Sequence, residues 1–232
     1  MRTVLFTNGA LGVRVAGWLH ERGELAAVVL HPASRQRDTT PLRSLEVPRL
    51  EWPVGVDEID RFGPDCVLSV LFGYRIGDKL LSAAAWAAVN LHPGLLPYNA
   101  GANPNVWPLV DGTPAGTTLH LMTSSLDAGD ILAQARVAHS PDDTGLTLYR
   151  RLMEASFDLF TDTWPSIRTI VPTPQVGPGT FHRSDELKSL DLSEDDLAIV
   201  DRLRARTFPP YGAEFERDGR RWKIQVTITP ID

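Results

Sequence analysis

Short apolar runs recur along the first half of the chain, with more polar segments between them. Their length and nearly continuous apolar character are typical of strands that are buried on both faces of a parallel sheet. The predicted strands are Thr3–Phe6, Leu25–Leu30, Cys66–Leu71 and Val89–Leu91. Two helices are predicted between them, Leu11–Glu21 and Ile76–Ala88, whereas the polar segment Pro32–Pro48 is predicted to be an exposed loop. Strands separated by helices predict an α/β fold with a Rossmann-like, open and mostly parallel sheet.

The second half of the chain continues this pattern and then changes. Ala115–Met122 and Ile131–Val137 are predicted strands, joined through a turn at Leu126–Gly129. Asp143 or Thr144 can cap a helix that runs from Gly145 towards Thr163. One face of this helix is apolar and is assigned to the core; it carries Tyr149, Leu152, Met153, Phe160 and Trp164.

The last fifty residues predict a smaller element. A short capped helix is expected from Glu194 to Arg204, followed by a β-hairpin with its turn at Asp218-Gly219. The second strand of the hairpin has an apolar face made of Trp222, Ile224, Val226 and Ile228. We therefore expect a main domain at residues 1–180 and a C-terminal extension at residues 181–232.

Composition and charge restrict the class of partner. The 232 residues carry a net charge of −6, so there is no general attraction to nucleic acid. The single cysteine, Cys66, lies in an apolar run and has no partner for an internal disulfide, which suits a reducing cytoplasm. No apolar run is long enough to span a bilayer, and the N-terminal residues lack the features of a signal peptide. We expect a cytoplasmic protein that binds neither nucleic acid nor membranes.

The stretch VNLHPGLLPYNAGANPN, residues 89–105, places polar side chains where a buried strand ends. A strand directs Asn90 and His92 to the same face, because side chains alternate along it. A histidine at the carboxyl end of a parallel strand points into the crevice where open α/β sheets bind ligands. The Asn90 amide can donate to a developing oxyanion. Taken alone, His92 is better explained as a buried core histidine and Asn90 as a turn former.

A carboxylate that can assist His92 follows in the segment SLDAGD. Asp127 in this turn can orient the imidazole and raise its basicity, and Asp130 is an alternative for the same role. Both aspartates are also ordinary turn formers. A metal site that includes His120 is not expected, because His120 lies within a strand and lacks ligand-like spacing. A nicotinamide-binding site is not expected either, because the first turn, TNGALG, lacks the full glycine pattern.

These motifs resemble those of the folate-dependent formyltransferase family. NLHPGLLPYNAGANPN and GTPAGTTLHLMTSSLDAGDILAQ contain its pattern N-x-H-P-x-L-L-P followed by L-D-x-G. The resemblance extends from the first strand to about Thr163 and implies the formyltransferase fold. It also implies that Asn90, His92 and Asp127 are catalytic, and we expect no metal because the residues around His120 lack ligand-like spacing. Gly94 departs from the pattern, since the family often has Ser there.

The resemblance implies 10-formyltetrahydrofolate as the formyl donor and an amine as the acceptor. In this reaction His92 takes the proton of the acceptor nitrogen, and Asn90 and protonated His92 hold the oxyanion. Asp127 is expected to stabilise the imidazolium and to raise the pKa of His92 above its ordinary value of about 6.5.

Three branches of the family compete. Methionyl-tRNA formyltransferases carry an additional nucleic-acid-binding domain, for which this acidic chain has little room after Thr180. Glycinamide ribonucleotide formyltransferases have a glycine-rich phosphate loop that TNGALG copies poorly. The tail, FHRSDELKSLDL and DRLRARTFPPYGAEFERDGRRWKIQ, resembles the nucleotide-sugar N-formyltransferases. That branch implies an acceptor amine on a dideoxy sugar linked to dTDP or a similar nucleotide, and a homodimer formed through the extension.

The same resemblance suggests contact residues for the two substrates. The folate candidates are Phe72, Gly73, Asp127 and Asp130, and the acceptor candidates are Arg75, Tyr98, Asn103 and Asn105. Turn formation explains the two asparagines nearly as well, and a surface salt bridge explains Arg75 equally well. Glycinamide ribonucleotide formyltransferase, a non-catalytic sugar-nucleotide binding protein and a formyltetrahydrofolate hydrolase remain alternative functions.

Overall fold

The computed structural model describes residues 1–37, 39–184, 186, 195–197, 199–200, 203 and 213–229. The chain divides into two compact units, Met1–His139 with Thr144–Arg183, and Ser140–Asp143 with Ser184–Asp232. A seven-stranded sheet forms the centre of the first unit. In the described ranges, no helix has both the length and the apolar character that a membrane span requires.

The central sheet consists of β1 (Thr3–Thr7), β2 (Leu25–Leu30), β3 (Arg49–Glu51), β4 (Cys66–Val70), β5 (Ala87–His92), β7 (Gly116–Leu121) and β8 (Ile131–Arg136). Its strand order is β3-β2-β1-β4-β5-β7-β8. The first five strands in this order are parallel, whereas β7 is antiparallel to β5 and β8 is antiparallel to β7. The predicted open, mostly parallel α/β sheet is confirmed. A separate two-stranded parallel sheet pairs β6 (Ala100–Gly101) with β9 (Phe181–His182).

Helices cover both faces of the central sheet. They are α1 (Ala10–Glu21), α2 (Val56–Asp60), α3 (Asp78–Leu81), α4 (Trp107–Asp111) and α5 (Gly145–Thr163). Alternate residues of one strand enter opposite cores: Leu5 packs with residues of α1 and α5, and Val4 packs with residues of α2 and α3. Every residue of β1 is buried, because the sheet is covered on both sides.

The predicted helix Ile76–Ala88 is mostly wrong. Only Asp78–Leu81 is helical, and Ala87 and Ala88 already belong to β5. The alanines of this segment favour a helix, but the Ala85 N–H donates to the Pro64 carbonyl and the Trp86 N–H donates to the Asp65 carbonyl. These long-range hydrogen bonds place the chain beside the start of β4, and they override the local helix propensity.

Other differences are local. The loop predicted at Pro32–Pro48 contains two turns of 3-10 helix, Ala33–Arg35 and Thr40–Ser44, and the short β3 and α2 were not predicted. Tyr149, which was assigned to the core, is 40% exposed. The buried stripe of α5 instead follows Leu148, Leu152, Ser156 and Phe160, a spacing of four residues that leaves Tyr149 off the buried face.

The described part of the second unit contains a hairpin of β10 (Ala213–Arg217) and β11 (Arg220–Ile224). Its turn has positive φ at both Asp218 and Gly219, as a tight hairpin turn requires. Phe215 pairs with Trp222. The second strand ends at Ile224 rather than Ile228, which is 59% exposed. Of the predicted helix Glu194–Arg204, residues 195–197, 199–200 and 203 are described and are helical, and the other five residues lie outside the described residues.

Candidate active site

Two polar side chains from the carboxyl end of β5 and one from its neighbour β7 lie on one face of the sheet. Val89 and Leu91 belong to the core under α1 and α5, so the alternating Asn90 and His92 face the other way. On the neighbouring strand β7, His120 is paired with Asn90. Cross-strand partners share a face of the sheet, so this antiparallel register adds His120 to the site.

Asp127 completes the cluster from the turn between β7 and β8. It is 8% exposed. Its Oδ1 lies 3.3 Å from Asn90 Nδ2 and 3.5 Å from His120 Nε2, and its Oδ2 lies 3.7 Å from His92 Nδ1. The Gly101 N–H donates to the same Oδ2 at 2.8 Å. The three side chains singled out in the sequence therefore meet, although they come from two segments that are far apart in the chain.

A backbone carbonyl determines the orientation of His92. The Nε2 atom lies 2.9 Å from the Asn99 carbonyl oxygen, so in the neutral ring Nε2 carries the hydrogen and Nδ1 carries the lone pair. Gly94 makes room for this contact, because a Cβ at that position would lie 2.5 Å from His92 Nε2 and 2.9 Å from the Asn99 oxygen. Asn99, which the sequence did not single out, orients the ring, while Asp127 faces the free nitrogen.

The expected rise in the pKa of His92 is wrong in direction. Burial lowers the pKa of His92 below its ordinary value of 6.5, and the Asp127 carboxylate and the Asn99 carbonyl offset this only in part. For Asp127, burial alone would raise the pKa, but His92, His120 and the Gly101 N–H lower it to about 2. Beside the neutral imidazole, hydrogen bonds from the Gly101 N–H and the Asn90 amide stabilise the ionised carboxylate of Asp127. The site thus holds a neutral base beside an anion.

We expect His92 of the free protein to titrate below pH 6.5, because its buried cation is poorly solvated. Nitrogen-15 spectra of histidine-labelled protein would follow this titration, with His92→Ala to assign the signal. Asp127→Asn should lower the midpoint further, because it removes the charge that favours the imidazolium. A midpoint at or above 6.5 in the unaltered protein would contradict the dominance of burial.

His120 is the second residue of the candidate site that the sequence did not place there. Its Nδ1 donates to the Leu121 carbonyl at 2.8 Å, so Nε2 accepts from Asn90 Nδ2 at 3.2 Å. Asn90 Nδ2 therefore lies within hydrogen-bonding distance of both His120 Nε2 and Asp127 Oδ1. The sequence showed a histidine within a strand, but it held no signal that this strand would be the neighbour of β5. No group of three His, Cys, Asp or Glu side chains in the described ranges has the arrangement of a metal site.

Three of the other candidate contacts, Phe72, Gly73 and Arg75, follow β4 in the chain. Phe72 and Gly73 follow β4, the strand next to β5, where the Gly73 N–H donates to His31 Nε2 at 3.0 Å. Arg75 is exposed and donates to the Ser124 carbonyl at 2.7 Å, which ties it to the segment before Asp127. The Arg75 contact is thus with a carbonyl rather than with a carboxylate.

The loop after β5 holds the remaining acceptor candidates. Asn105 donates to the Gly145 carbonyl at 2.9 Å and so anchors the start of α5. Asn103 is exposed, with a φ of 56° that suits a turn. Tyr98 is half-buried and directly precedes Asn99. The carboxylate of Asp130 is exposed, and no described hydrogen bond or ion pair links it to His92, so of the two aspartates it is Asp127 that faces the imidazole.

Two family models match consecutive parts of the chain. The model described as formyl transferase matches residues 36–163, which is more than half of the chain. The model described as N-formyltransferase dimerization C-terminal domain matches residues 184–230.

Solved structures with the same fold include three enzymes. A sugar N-formyltransferase from a Shewanella species is 21% identical, covers 100% of both chains and has a TM-score of 0.69. A formyltransferase from Anoxybacillus kamchatkensis, in complex with UDP-4,6-dideoxy-4-formamido-L-AltNAc and tetrahydrofolate, is 26% identical with a TM-score of 0.58; the match covers 88% of this chain and 92% of that one. Glycinamide ribonucleotide transformylase 1 from Symbiobacterium toebii is 20% identical with a TM-score of 0.66, over 76% of this chain and 94% of its own. Because the formyl transferase model matches more than half of this chain, the chain belongs to the formyl transferase family of enzymes.

Proposed function

We propose that the protein transfers a formyl group from 10-formyltetrahydrofolate to the primary amine of a nucleotide-linked amino-dideoxy sugar. The buried contact of His92 with Asp127 beside Asn90 carries this proposal. A neutral base paired with an ionised carboxylate suits proton transfer from a reacting amine. Binding alone needs no base, which disfavours a non-catalytic sugar-nucleotide binding protein.

His92 is the general base in this proposal. The neutral acceptor nitrogen attacks the formyl carbon, and its proton moves to the free lone pair of His92 Nδ1. The bond between the formyl carbon and N10 of the folate then breaks, and N10 takes up the proton from the imidazolium of His92 as tetrahydrofolate leaves, which restores the neutral base. The imidazolium formed in between has Asp127 Oδ2 at 3.7 Å from Nδ1, so the carboxylate stabilises the charge that develops on the ring.

Asn90 and the imidazolium hold the oxyanion of the tetrahedral intermediate. Because Asn90 Nδ2 lies 3.2 Å from His120 Nε2 and 3.3 Å from Asp127 Oδ1, an N–H of the amide turns from one of these acceptors to the oxyanion. We assign this exchange to the hydrogen bond with Asp127, because the Asp127 carboxylate keeps the Gly101 N–H as a donor. His120 then keeps the amide in place through the hydrogen bond of 3.2 Å.

Two comparisons favour a sugar acceptor. The sugar N-formyltransferase of Shewanella matches the whole chain, whereas the glycinamide ribonucleotide transformylase matches 76% of it. The Anoxybacillus enzyme holds a UDP-linked formamido sugar together with tetrahydrofolate, which supports a nucleotide sugar and a folate as the two substrates here. We propose dTDP as the carrier nucleotide from the tail motif, and the cytoplasm as the site of action, since the one cysteine, Cys66, is a free and buried thiol.

An acceptor screen tests this function. The protein is mixed with 10-formyltetrahydrofolate and, separately, with dTDP- and UDP-linked amino sugars, glycinamide ribonucleotide or buffer alone, and both tetrahydrofolate release and the formylated product are measured. Turnover with an amino sugar, and with no other acceptor, supports the proposal. Faster turnover with glycinamide ribonucleotide would indicate a glycinamide ribonucleotide formyltransferase. Formate release in buffer alone would indicate a formyltetrahydrofolate hydrolase, and sugar-nucleotide binding without turnover would indicate a non-catalytic binding protein.

We also propose that the hairpin of the second unit contributes to a symmetric homodimer. Phe215 and Trp222 are cross-strand partners and are both half-buried. A two-stranded hairpin is barely stable alone in water, and an apolar face that meets its own copy suits twofold symmetry. The match to a dimerization domain at residues 184–230 supports the same arrangement.

Trp222→Glu is expected to convert the dimer to a monomer, because it places a charge on the apolar face of the hairpin. Light scattering after size-exclusion chromatography measures the mass. Glu216→Gln is the matched control, since Glu216 lies on the opposite face of the hairpin and this change should leave the dimer intact. A Trp222→Glu protein of dimer mass, or an unaltered protein of monomer mass, would contradict the proposal.

A further inference from the structure

The segment Thr173–His182, TPQVGPGTFH, touches both loops on which the catalytic geometry depends, and we refer to it as the strap. It lies between the parts of the chain that the two family models match, residues 36–163 and 184–230. It contains one short strand, β9, and two exposed apolar residues, Val176 and Phe181.

One end of the strap holds the loop that orients His92. Thr180 Oγ1 accepts from the Asn99 N–H at 2.7 Å, and the Thr180 carbonyl accepts from the Ala100 N–H at 3.0 Å. The Asn99 side chain is fixed as well, by the Pro114 carbonyl at 3.0 Å and the Thr113 hydroxyl at 2.9 Å. Asn99 is fully buried. The carbonyl that accepts from His92 Nε2 therefore has its position set in part by Thr180.

The other end of the strap holds the turn that carries Asp127. Gln175 Nε2 donates to the Asp127 carbonyl at 2.7 Å and to the Gly129 carbonyl at 2.9 Å. Asp127 has a φ of 51°, in the left-handed region that non-glycine residues rarely adopt. Thr173 and Ile131 exchange two backbone hydrogen bonds, at 2.8 and 2.9 Å, which anchor the strap beside this turn. The amide of Gln175 thus supports a strained backbone conformation at a reacting group.

We propose that the strap positions His92 and Asp127 against each other, with Thr180 and Gln175 as its positioning residues. Thr180 acts through Asn99 on His92, and Gln175 acts on the backbone of Asp127. This inference rests on the proposed roles of His92 and Asp127 in formyl transfer.

Loss of the Thr180 hydroxyl has a specific chemical consequence. The buried Asn99 N–H loses its acceptor, so the loop must move to satisfy it. His92 Nε2–H then loses the Asn99 carbonyl, and the competing tautomer, with the hydrogen on Nδ1, can donate to Asp127. In that tautomer the nitrogen that faces Asp127 no longer has a lone pair for the acceptor proton.

Thr180→Val removes the hydroxyl and keeps the shape of the side chain. It is expected to lower kcat by roughly 10- to 100-fold, the range typical of small misplacements of reacting groups, and to change KM by less than about threefold. Thr180→Ser restores the acceptor and should restore kcat. Gln175→Met tests the other end of the strap and should also lower kcat. Val176→Thr is the control within the strap, because Val176 is 83% exposed.

Nitrogen-15 spectra of histidine-labelled protein provide a measurement that needs no turnover. His92 should carry its hydrogen on Nε2 in the unaltered protein and in Thr180→Ser, and should gain the Nδ1-protonated form in Thr180→Val. If Thr180→Val does not fold, the proposal is tested instead by the kcat and the His92 nitrogen-15 signal of Gln175→Met. Unchanged kcat and an unchanged His92 signal in the folded variants would overturn the proposal. An unaltered protein without formyl transfer would overturn the proposed function, while the spectra would still test the strap.

Discussion

His92→Ala is expected to lower kcat by roughly two to four decades, the usual contribution of a general acid–base group. The variant removes the lone pair that takes the acceptor proton and the cation that faces the oxyanion. The imidazole is buried and fixed by the Asn99 carbonyl at 2.9 Å, so solvent is a poor substitute. Turnover is measured at saturating folate and acceptor, and folate binding, measured separately by calorimetry, should change much less than kcat.

A control variant and a rescue experiment test whether the loss of kcat is due to the missing imidazole of His92. His20→Ala changes a histidine in the last turn of α1 and should leave kcat unchanged. Added imidazole should restore part of the activity of His92→Ala, because a small base can occupy the vacated space. Near-normal turnover of His92→Ala would show that His92 is not the base.

Asp127→Asn is expected to cause the second large loss, also of roughly two to four decades in kcat. The change keeps the size of the side chain but removes the negative charge 3.7 Å from His92 Nδ1. The imidazolium then loses its closest anion at the moment it forms, in a buried site where charge interactions are strong. Single-turnover measurements with both substrates bound would separate this loss from any change in binding.

Asp130→Asn is the matched control for Asp127→Asn. Both aspartates lie in the turn before β8, but Asp127 is buried and Asp130 is exposed. Asp130→Asn should therefore alter kcat by less than about twofold, as exposed positions away from reacting groups usually do. A larger effect at Asp130 than at Asp127 would make Asp130 the residue that assists His92.

Local patterns were enough to predict the class of fold. The continuous apolar runs of β1, β2 and β4 predicted strands covered on both faces, and the structure buries them on both faces. The pattern failed at Ala83–Ala88, where helix propensity lost to hydrogen bonds with Pro64 and Asp65. Propensity is a property of neighbouring residues, whereas these hydrogen bonds join segments about twenty residues apart.

The candidate site likewise has one part that the local sequence predicted and another that only the folded chain decided. The two-residue spacing of Asn90 and His92 was sufficient to place both side chains on one face, because alternation is intrinsic to a strand. The membership of His120 depended on which strand pairs with β5 and in what register, and a single sequence does not contain that pairing. The contacts of Asn99, Gln175 and Thr180 likewise depend on segments that meet only in the folded chain.

The pKa of His92 shows most directly why the folded chain was needed. A carboxylate near a histidine predicts a raised pKa, and that interaction is present. Desolvation acts in the opposite direction, and its size depends on how completely many distant residues cover the ring. Motif and spacing therefore selected the candidate reacting groups, whereas burial and backbone contacts from β7, the turn at Asp127 and the strap set their protonation and orientation, because these are properties of packing rather than of local sequence.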